Sequence, residues 1–345
     1  MVWLERQPPS GNKETIMSNN TGWLGAADPS RREAFERAMN VSNVGSVLMQ
    51  SYINRVVQQL TLREFGAWAA LDHRPGSGLA AYINRRTAGA TGGAWVADTD
   101  SATEETGSYA QVSFPYKTAL TRGKLTRKAQ AVGQTYGDIL AGEVAAKAED
   151  MAALLEYSLI NGDSAADAND IDGLMTLVGN VSGQTVANTT AAAGDDLTLA
   201  KLDAAIDKVK GSASRSDCVI IGSFAGLRKV NAALQADQQF NDVVEIAAGF
   251  RVRTYDGIPL VASTGVNDDY VWNGTDARIT AATGGDTTAL YIVNKRYCWI
   301  EELTAMTVMP LAKDSSQYDQ FDMFCDLVMP LANTKGAAIL GGLSV

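Results

Sequence analysis

The chain has 345 residues, long enough for a sizeable core and two packed lobes. Its 46% hydrophobic and 20% charged residues are those of an ordinary globular protein, which excludes wholesale disorder. A net charge of −10 speaks against a dedicated nucleic-acid-binding module, which needs Lys and Arg against phosphate, and against attachment to an acidic membrane surface.

Residues 1–28 are polar, with Pro8-Pro9, Gly11, Asn19-Asn20 and Gly22, and read as an extended arm without a core. Met17 is an alternative start. Pro29-Ser30 then leads into a charged segment around Arg31, Arg32, Phe35 and Met39, a short amphipathic helix. It is either a plain surface helix or an arm that docks on a neighbouring subunit. A second helix is predicted over 46–60, where Leu48, Tyr52, Val56 and Leu60 recur every four residues.

Residues 74–93 are rich in Gly and Pro and read as loop. Ala94-Trp95-Val96 is strand-like, and a turn-rich stretch follows with Asp98, Asp100, Glu104 and Glu105. Val112, Phe114 and Tyr116 alternate with polar residues, the period of a half-buried strand, and Pro115 assigns that strand to an edge or a bulge. The basic Lys117, Arg122, Lys124, Arg127 and Lys128 come next, with no acid among 117–128. Residues 94–128 therefore read as a long hairpin, acidic going out and basic coming back. Either its legs neutralise each other or it is an exposed arm that pairs with neighbouring copies.

From Tyr136 to Leu159, Leu140, Val144, Ala148, Met151, Leu155 and Leu159 form a helical stripe, with Glu143, Lys147, Glu149, Asp150 and Glu156 at solvated positions. About 24 residues at about 1.5 Å each span about 36 Å. Asn161-Gly162 suits a left-handed C-cap. A short α/β texture then runs over 198–295: helices at Leu199–Val209 and Phe224–Leu234, and strands at Cys218–Ile221, Ile258–Val261 and Leu290–Val293. Long strands return at 321–329, and Ala337-Ala338-Ile339-Leu340 closes the chain as a last apolar strand.

Enzyme motifs are missing. Gly222-Ser223-Phe224-Ala225-Gly226 lacks the central Ser of a nucleophile elbow, and Gly123-Lys124 lacks the upstream glycine of a phosphate loop. Asp167, Asp170 and Asp172 are out of register for a calcium loop and read as turn and cap residues. The single histidine, His73, reads as a surface pair with Asp72. Cys218, Cys298 and Cys325 are odd in number and far apart, which implies neither a disulfide framework nor a zinc ribbon and suits a reducing compartment. No apolar run reaches the roughly 18 residues of a membrane span, and the first residues lack a signal-peptide core. The protein is expected to be made in the cytoplasm, to use no cofactor or metal, and to catalyse nothing.

The order of parts, in combination, resembles the HK97-like major capsid protein family of tailed bacteriophages and related archaeal viruses. Ala94 to Asp98 and Val112-Ser113-Phe114 look like its extended loop, and Leu125 to Ala131 like the strand leaving it. Tyr136 to Asn161 looks like its spine helix, followed by Gly162-Asp163 and Asp172-Gly173-Leu174-Met175. Asp217 to Leu227 and Tyr255 to Val261 look like parts of its axial lobe.

The resemblance implies an α+β fold with an N-terminal arm (1–45), the start of a peripheral domain (46–85) and an extended loop hairpin (86–130). The peripheral domain with the spine helix (131–197), an axial α/β domain (198–295) and return strands of the peripheral domain (296–345) complete it. It further implies self-assembly into pentamers and hexamers of an icosahedral shell that encloses double-stranded DNA without sequence-specific binding, located in the virion. Asp98, Asp100, Glu104, Glu105, Lys117, Arg122, Lys124, Arg127 and Lys128 would make subunit contacts from the loop, and Arg31, Arg32 and Phe35 from the arm.

Only some 40 residues precede the first family-like helix, so a separate scaffolding protein is expected, with a portal and a decoration protein as further partners. Some members form Lys–Asn crosslinks between the extended loop and a late strand. Lys117 and Lys124 offer the amine, but residues 315–331 contain no Asn, so no crosslink is expected. An encapsulin-type nanocompartment is the alternative, and a soluble α/β hydrolytic enzyme built around Ser223 is the remote one.

Overall fold

Cys218–Ile221 and Leu290–Val293 are apolar without alternation, the pattern of strands covered on both faces. The computed structural model describes residues 65–88, 95, 97–99, 106–133, 139–209, 215–236, 243–247, 250–272, 285–312 and 317–345. The chain divides into Met1–Gln58 and Gln59–Val345. The arm of residues 1–45, the helix expected over 46–60, and Arg31, Arg32 and Phe35 lie outside the described residues.

The described chain opens with helix α1 (Gly66–Ala70) and strands β1 (His73–Pro75), β2 (Ala80–Ala88), β3 (Ser108–Pro115) and β4 (Lys117–Thr126). Helices α2 (Arg127–Gly133), α3 (Ile139–Asn161) and α4 (Leu174–Gly179) follow, then β5 (Thr185–Ala187) and α5 (Leu199–Lys208). Next come β6 (Cys218–Gly222), α6 (Phe224–Ala236), β7 (Val243–Ala247), β8 (Phe250–Tyr255) and β9 (Ile258–Ala262). The last strands are β10 (Thr287–Asn294), β11 (Ile300–Pro310), β12 (Tyr318–Val328) and β13 (Ala337–Ser344).

The described residues form three sheets. One has the order β1-β11-β12-β4, a second β5-β13-β10-β6-β9-β8-β7, and the third is the hairpin β2-β3. In the seven-stranded sheet β10 lies between β13 and β6, antiparallel to both, and every one of its residues is buried. Alternate residues feed two cores, as strand geometry requires. Cys218, Ile220, Leu290 and Ile292 pack with Leu202, Ile206, Val230 and Leu234 of α5 and α6. Val219, Ile221, Tyr291 and Val293 pack instead with Met151, Leu155 and Leu159 of α3 and with Met323, Cys325 and Leu327 of β12. One face of the large sheet thus shares its core with the spine helix and the four-stranded sheet.

Five expectations change. Leu125 to Ala131, likened to the strand leaving the extended loop, is strand only to Thr126, and Arg127 opens helix α2. The last apolar strand, β13, joins the seven-stranded sheet beside β10 and β5, not the sheet of the return strands β11 and β12. Residues 80–88, read as loop, form β2. Its half-buried positions alternate with exposed ones, but past Ile83 the inward position is Arg85, so the apolar alternation that marks a half-buried strand is missing. Asn161 is the last residue of α3 and is buried, donating from Nδ2 to the Gly265 carbonyl at 2.6 Å and accepting from the Tyr270 hydroxyl at 2.6 Å. Gly162, not left-handed, is needed because a Cβ there would lie 2.2 Å from the Ile171 carbonyl oxygen. Glu156, read as solvated, is only 1% exposed.

Candidate subunit-contact surface

The hairpin is built from β2 and β3, in register from Ala80 opposite Pro115 to Ala88 opposite Ser108. The basic segment 117–128, read as the return leg of the hairpin, is not part of it. β4 instead pairs antiparallel with β12 along its whole length, from Lys117 opposite Leu327 to Thr126 opposite Tyr318. The reason is the core: Gly123 accommodates the Phe321 ring across the ladder, and β12 carries the apolar residues that α3 and the large sheet need.

The basic residues therefore find their partners inside the chain. Arg122 donates from Nε and Nη2 to the two carboxylate oxygens of Asp322, at 2.6 and 2.9 Å, a bidentate pair. Its hydrogen bond holds the Asp322 carboxyl below the usual carboxylate range. Lys117 Nζ donates to the Ala168 carbonyl at 2.5 Å. Lys124 Nζ sits 3.9 Å from the centre of the Tyr318 ring, a cation–π contact. Arg127 and Lys128 open α2 and are exposed, and Asp98 is exposed in a turn. Asp100, Glu104 and Glu105 lie outside the described residues.

Phe114 and Tyr116, read from the sequence as half-buried strand positions, hold the hairpin base together with residues that the sequence did not single out. Ala81, Phe114 and Val328 form a small buried cluster there. Arg85 donates from Nε to the Ala332 carbonyl at 2.8 Å and from Nη2 to the Leu331 carbonyl, with its guanidinium 5.8 Å from the Phe114 ring centre. Burial lowers its pKa. The Tyr116 hydroxyl donates to Glu301 Oε1 at 2.5 Å, and burial together with that carboxylate pushes the phenol up to about 12. Around the hairpin, large apolar side chains stand in solvent: Leu79, Tyr82 and Tyr109 on or beside the strands, and a fully exposed Trp95. Leu154 and Tyr157 of α3 are also exposed, beside a groove of about 270 Å³ that Lys117, Ala119, Asp170 and Leu327 help to line.

The groups considered for chemistry have structural duties. Ser223 Oγ accepts the Gly226 N–H at 3.0 Å as the N-cap of α6 and lies 3.1 Å from Thr288 Oγ1. His73 pairs through Nδ1 with Glu302 Oε1 at 2.5 Å and through Nε2 with the Trp68 carbonyl at 2.9 Å. Its partner is thus Glu302 rather than the expected Asp72, because β1 pairs with β11. Asp167 and Asp172 accept backbone N–H groups from Asn169 and Ser164, the turn role expected of them. Burial pushes the Cys298 thiol up to about 12 and Cys325 up to about 11, far from the thiolate a nucleophile needs. Among the described residues, no cluster of three His, Cys, Asp or Glu could hold a metal ion. No helix among them is long and apolar enough to cross a membrane.

The fold has known relatives. The chain superposes on the capsid of a native GTA particle with a TM-score of 0.66 at 16% identity, over 88% of this chain and 98% of that one. The capsid of cyanophage A-1(L) gives 0.66 at 12% identity, over 89% and 99%. The SrpI encapsulin of Synechococcus elongatus gives 0.65 at 13% identity, over 88% and 95%. These likenesses show the fold, a mixed α+β architecture of the HK97 type. Comparison with curated protein sequences gave no match. The family model of the SU10 major capsid protein matches residues 78–344, which span β2 to β13. The chain belongs to the SU10 major capsid protein family and is a structural component of a virion.

Proposed function

We propose that the chain assembles into pentamers and hexamers of an icosahedral shell that encloses double-stranded DNA and that it catalyses no reaction. The observation that carries this reading is the hairpin. It is clamped at its base by Arg85 and Phe114, yet presents Tyr82, Tyr109 and Trp95 to solvent. A folded chain gains from covering such surface, and in a shell the neighbouring subunit supplies the cover. The net charge of −10 suits a wall that contains DNA without gripping it. Asp98, Arg127 and Lys128, exposed in the single chain, are proposed to reach a neighbour, together with Asp100, Glu104 and Glu105, the arm residues Arg31, Arg32 and Phe35, and Lys117, Arg122 and Lys124, which also have partners inside the chain. Proposed partners beyond further copies of the chain are a scaffolding protein, a portal and a decoration protein.

A second reading has one observation in its favour: the match to the SrpI encapsulin is as good as those to the capsids. Negative-stain microscopy of the chain, expressed alone and with a scaffolding partner, tests both. Closed shells or rings of five and six support assembly, and a monomer under every condition refutes it. Nuclease-resistant DNA inside particles supports the capsid reading, whereas a co-purifying enzyme replaces it with the compartment. Bands of monomer size in denaturing electrophoresis of mature particles agree with the absence of a covalent crosslink.

A further inference from the structure

Sheet edges in this chain are not treated alike. The outer strand β4 carries Lys117, Arg122 and Lys124, and β2 carries Arg85 and Arg86. Charges of this kind keep an edge from pairing with another chain. β11 is different. Its outer edge is covered by β1 only at Ile300, Glu301 and Glu302, and Gly76 N donates the last hydrogen bond there, to the Glu302 carbonyl at 2.7 Å. From Leu303 to Met309 no strand among the described residues pairs with that edge. The segment reads Leu-Thr-Ala-Met-Thr-Val-Met, without a single charge, before Pro310 ends it. Leu303, Met306, Val308 and Met309 are all exposed. After a bulge between Thr304 and Thr307, the ladder with β12 is regular through Pro310, so the strand offers a straight row of backbone groups there.

We propose that this edge is a subunit contact whose occupant is the same edge of a second copy, paired antiparallel across a two-fold axis within Met306–Val308. Charge favours that occupant. Each chain carries −10, so two copies approach with less repulsion where neither shows an acid, and residues 303–309 are such a stretch. The sequence is also compatible with itself. With the axis at Thr307, Met306 faces Val308 and Ala305 faces Met309, so the two cross-strand pairs flanking the axis are apolar. Such a contact is isologous: it uses one surface patch twice and needs no separate receptor site.

The inference rests on the shell reading, and the test separates the two. Single-cysteine variants Met306→Cys, Thr307→Cys and Val308→Cys are oxidised with copper phenanthroline in the assemblies that the full chain forms, with Leu303→Cys as the control. The native Cys218, Cys298 and Cys325 are buried and do not compete. Self-pairing predicts disulfide dimers at one or two adjacent positions of 306–308. It predicts none at Leu303, which at about 3.3 Å per residue would lie roughly 26 Å from its mate.

Particles that form without these dimers, or that give dimers equally at Leu303, overturn the inference and leave the shell reading standing. A wild-type chain that forms no assembly overturns both. A second variant, Val308→Lys, places a charge on the edge. Self-pairing predicts an unchanged melting temperature of the isolated chain and at least a tenfold lower particle yield, and normal yield overturns it.

Discussion

The carboxylate of Glu156, deep in α3, accepts the backbone N–H of Ala67 at 2.7 Å across 89 residues of sequence. Its other oxygen accepts the Trp68 N–H at 2.8 Å, and the Ser263 hydroxyl donates to Oε1 at 2.5 Å. One side chain thereby caps α1, which leads into the hairpin, and ties it both to the spine helix and to the segment leaving β9 in the large sheet.

Glu156→Ala removes the acceptor for two buried donors, the Ala67 N–H and the Ser263 hydroxyl, and for the half-buried Trp68 N–H. At about 1–3 kcal/mol for each buried group left unpaired, a loss of at least about 2 kcal/mol is expected, measured as a lower urea midpoint. Glu156→Gln keeps one acceptor oxygen and should cost less. Burial raises the Glu156 pKa in the fold despite its hydrogen bonds. The sign follows from linkage: the contribution is fully present below the unfolded pKa and is lost as pH rises through the folded one. The stability of the native chain relative to Glu156→Gln should therefore fall as pH rises from about 4.5. A difference independent of pH would contradict this.

Asp322 shows the opposite sign. Its folded pKa is depressed by the Arg122 hydrogen bond, so its contribution is present above the unfolded value of 3.8 and is lost as pH falls through the folded one. Arg122→Ala should flatten the acid limb of the stability profile. The charge swap Arg122→Asp with Asp322→Arg should restore part of it, because the register brings these two residues opposite each other. Melting temperatures between pH 3 and 7 would check both outcomes.

Arg85→Ala should loosen the hairpin base without unfolding the rest. Hydrogen bonds from a charged donor contribute about 1.5–3 kcal/mol, so amide exchange at Ala81–Arg86 should speed up about tenfold or more. Arg85→Lys should recover only part of the protection, since one ammonium cannot reproduce the guanidinium fork on two successive carbonyls.

Gly341→Ala should destabilise the large sheet by about 1–3 kcal/mol through overpacking. A Cβ at that position would lie 2.5 Å from the Trp272 ring, which is 2% exposed and fixed by its Nε1–H donating to the Thr189 carbonyl at 2.9 Å. The next residue, Gly342, has φ +76, so the backbone there has little freedom to yield. A lower melting temperature with an altered tryptophan emission spectrum is the expected result.

Much of the candidate site escaped a reading from sequence, and particular residues show why. The acids near 98–105 and the bases of 117–128 are neighbours in sequence, which suggested two legs of one hairpin. Arg122 instead meets Asp322, 200 residues away, because β12 brings the apolar residues that β4 must cover. In α3 the stripe of Met151, Leu155 and Leu159 was legible. The placement of Glu156 was not, because exposure along this helix depends on depth as well as on face. Ile139 and Leu140 are exposed near its start, whereas Leu155, Glu156, Ser158, Leu159, Ile160 and Asn161 are all buried at its end. Arg85 carried no signal at all, since its acceptors are backbone carbonyls.

The sequence by itself determined the elements whose pattern is local and strong. These are the long helix α3, the apolar strands β6, β10 and β13, the helices α5 and α6, and the α+β order of parts that marks a capsid subunit. Hydrophobic periodicity encodes the helices and unbroken apolar runs the buried strands, because both signals lie among near neighbours in the chain. Only the tertiary structure decided which strand pairs with which, that one face of the large sheet shares a core with the spine helix, and that Glu156 and Arg85 tie distant segments together. Those choices depend on which apolar faces and unpaired backbone groups are left over once the whole chain has packed.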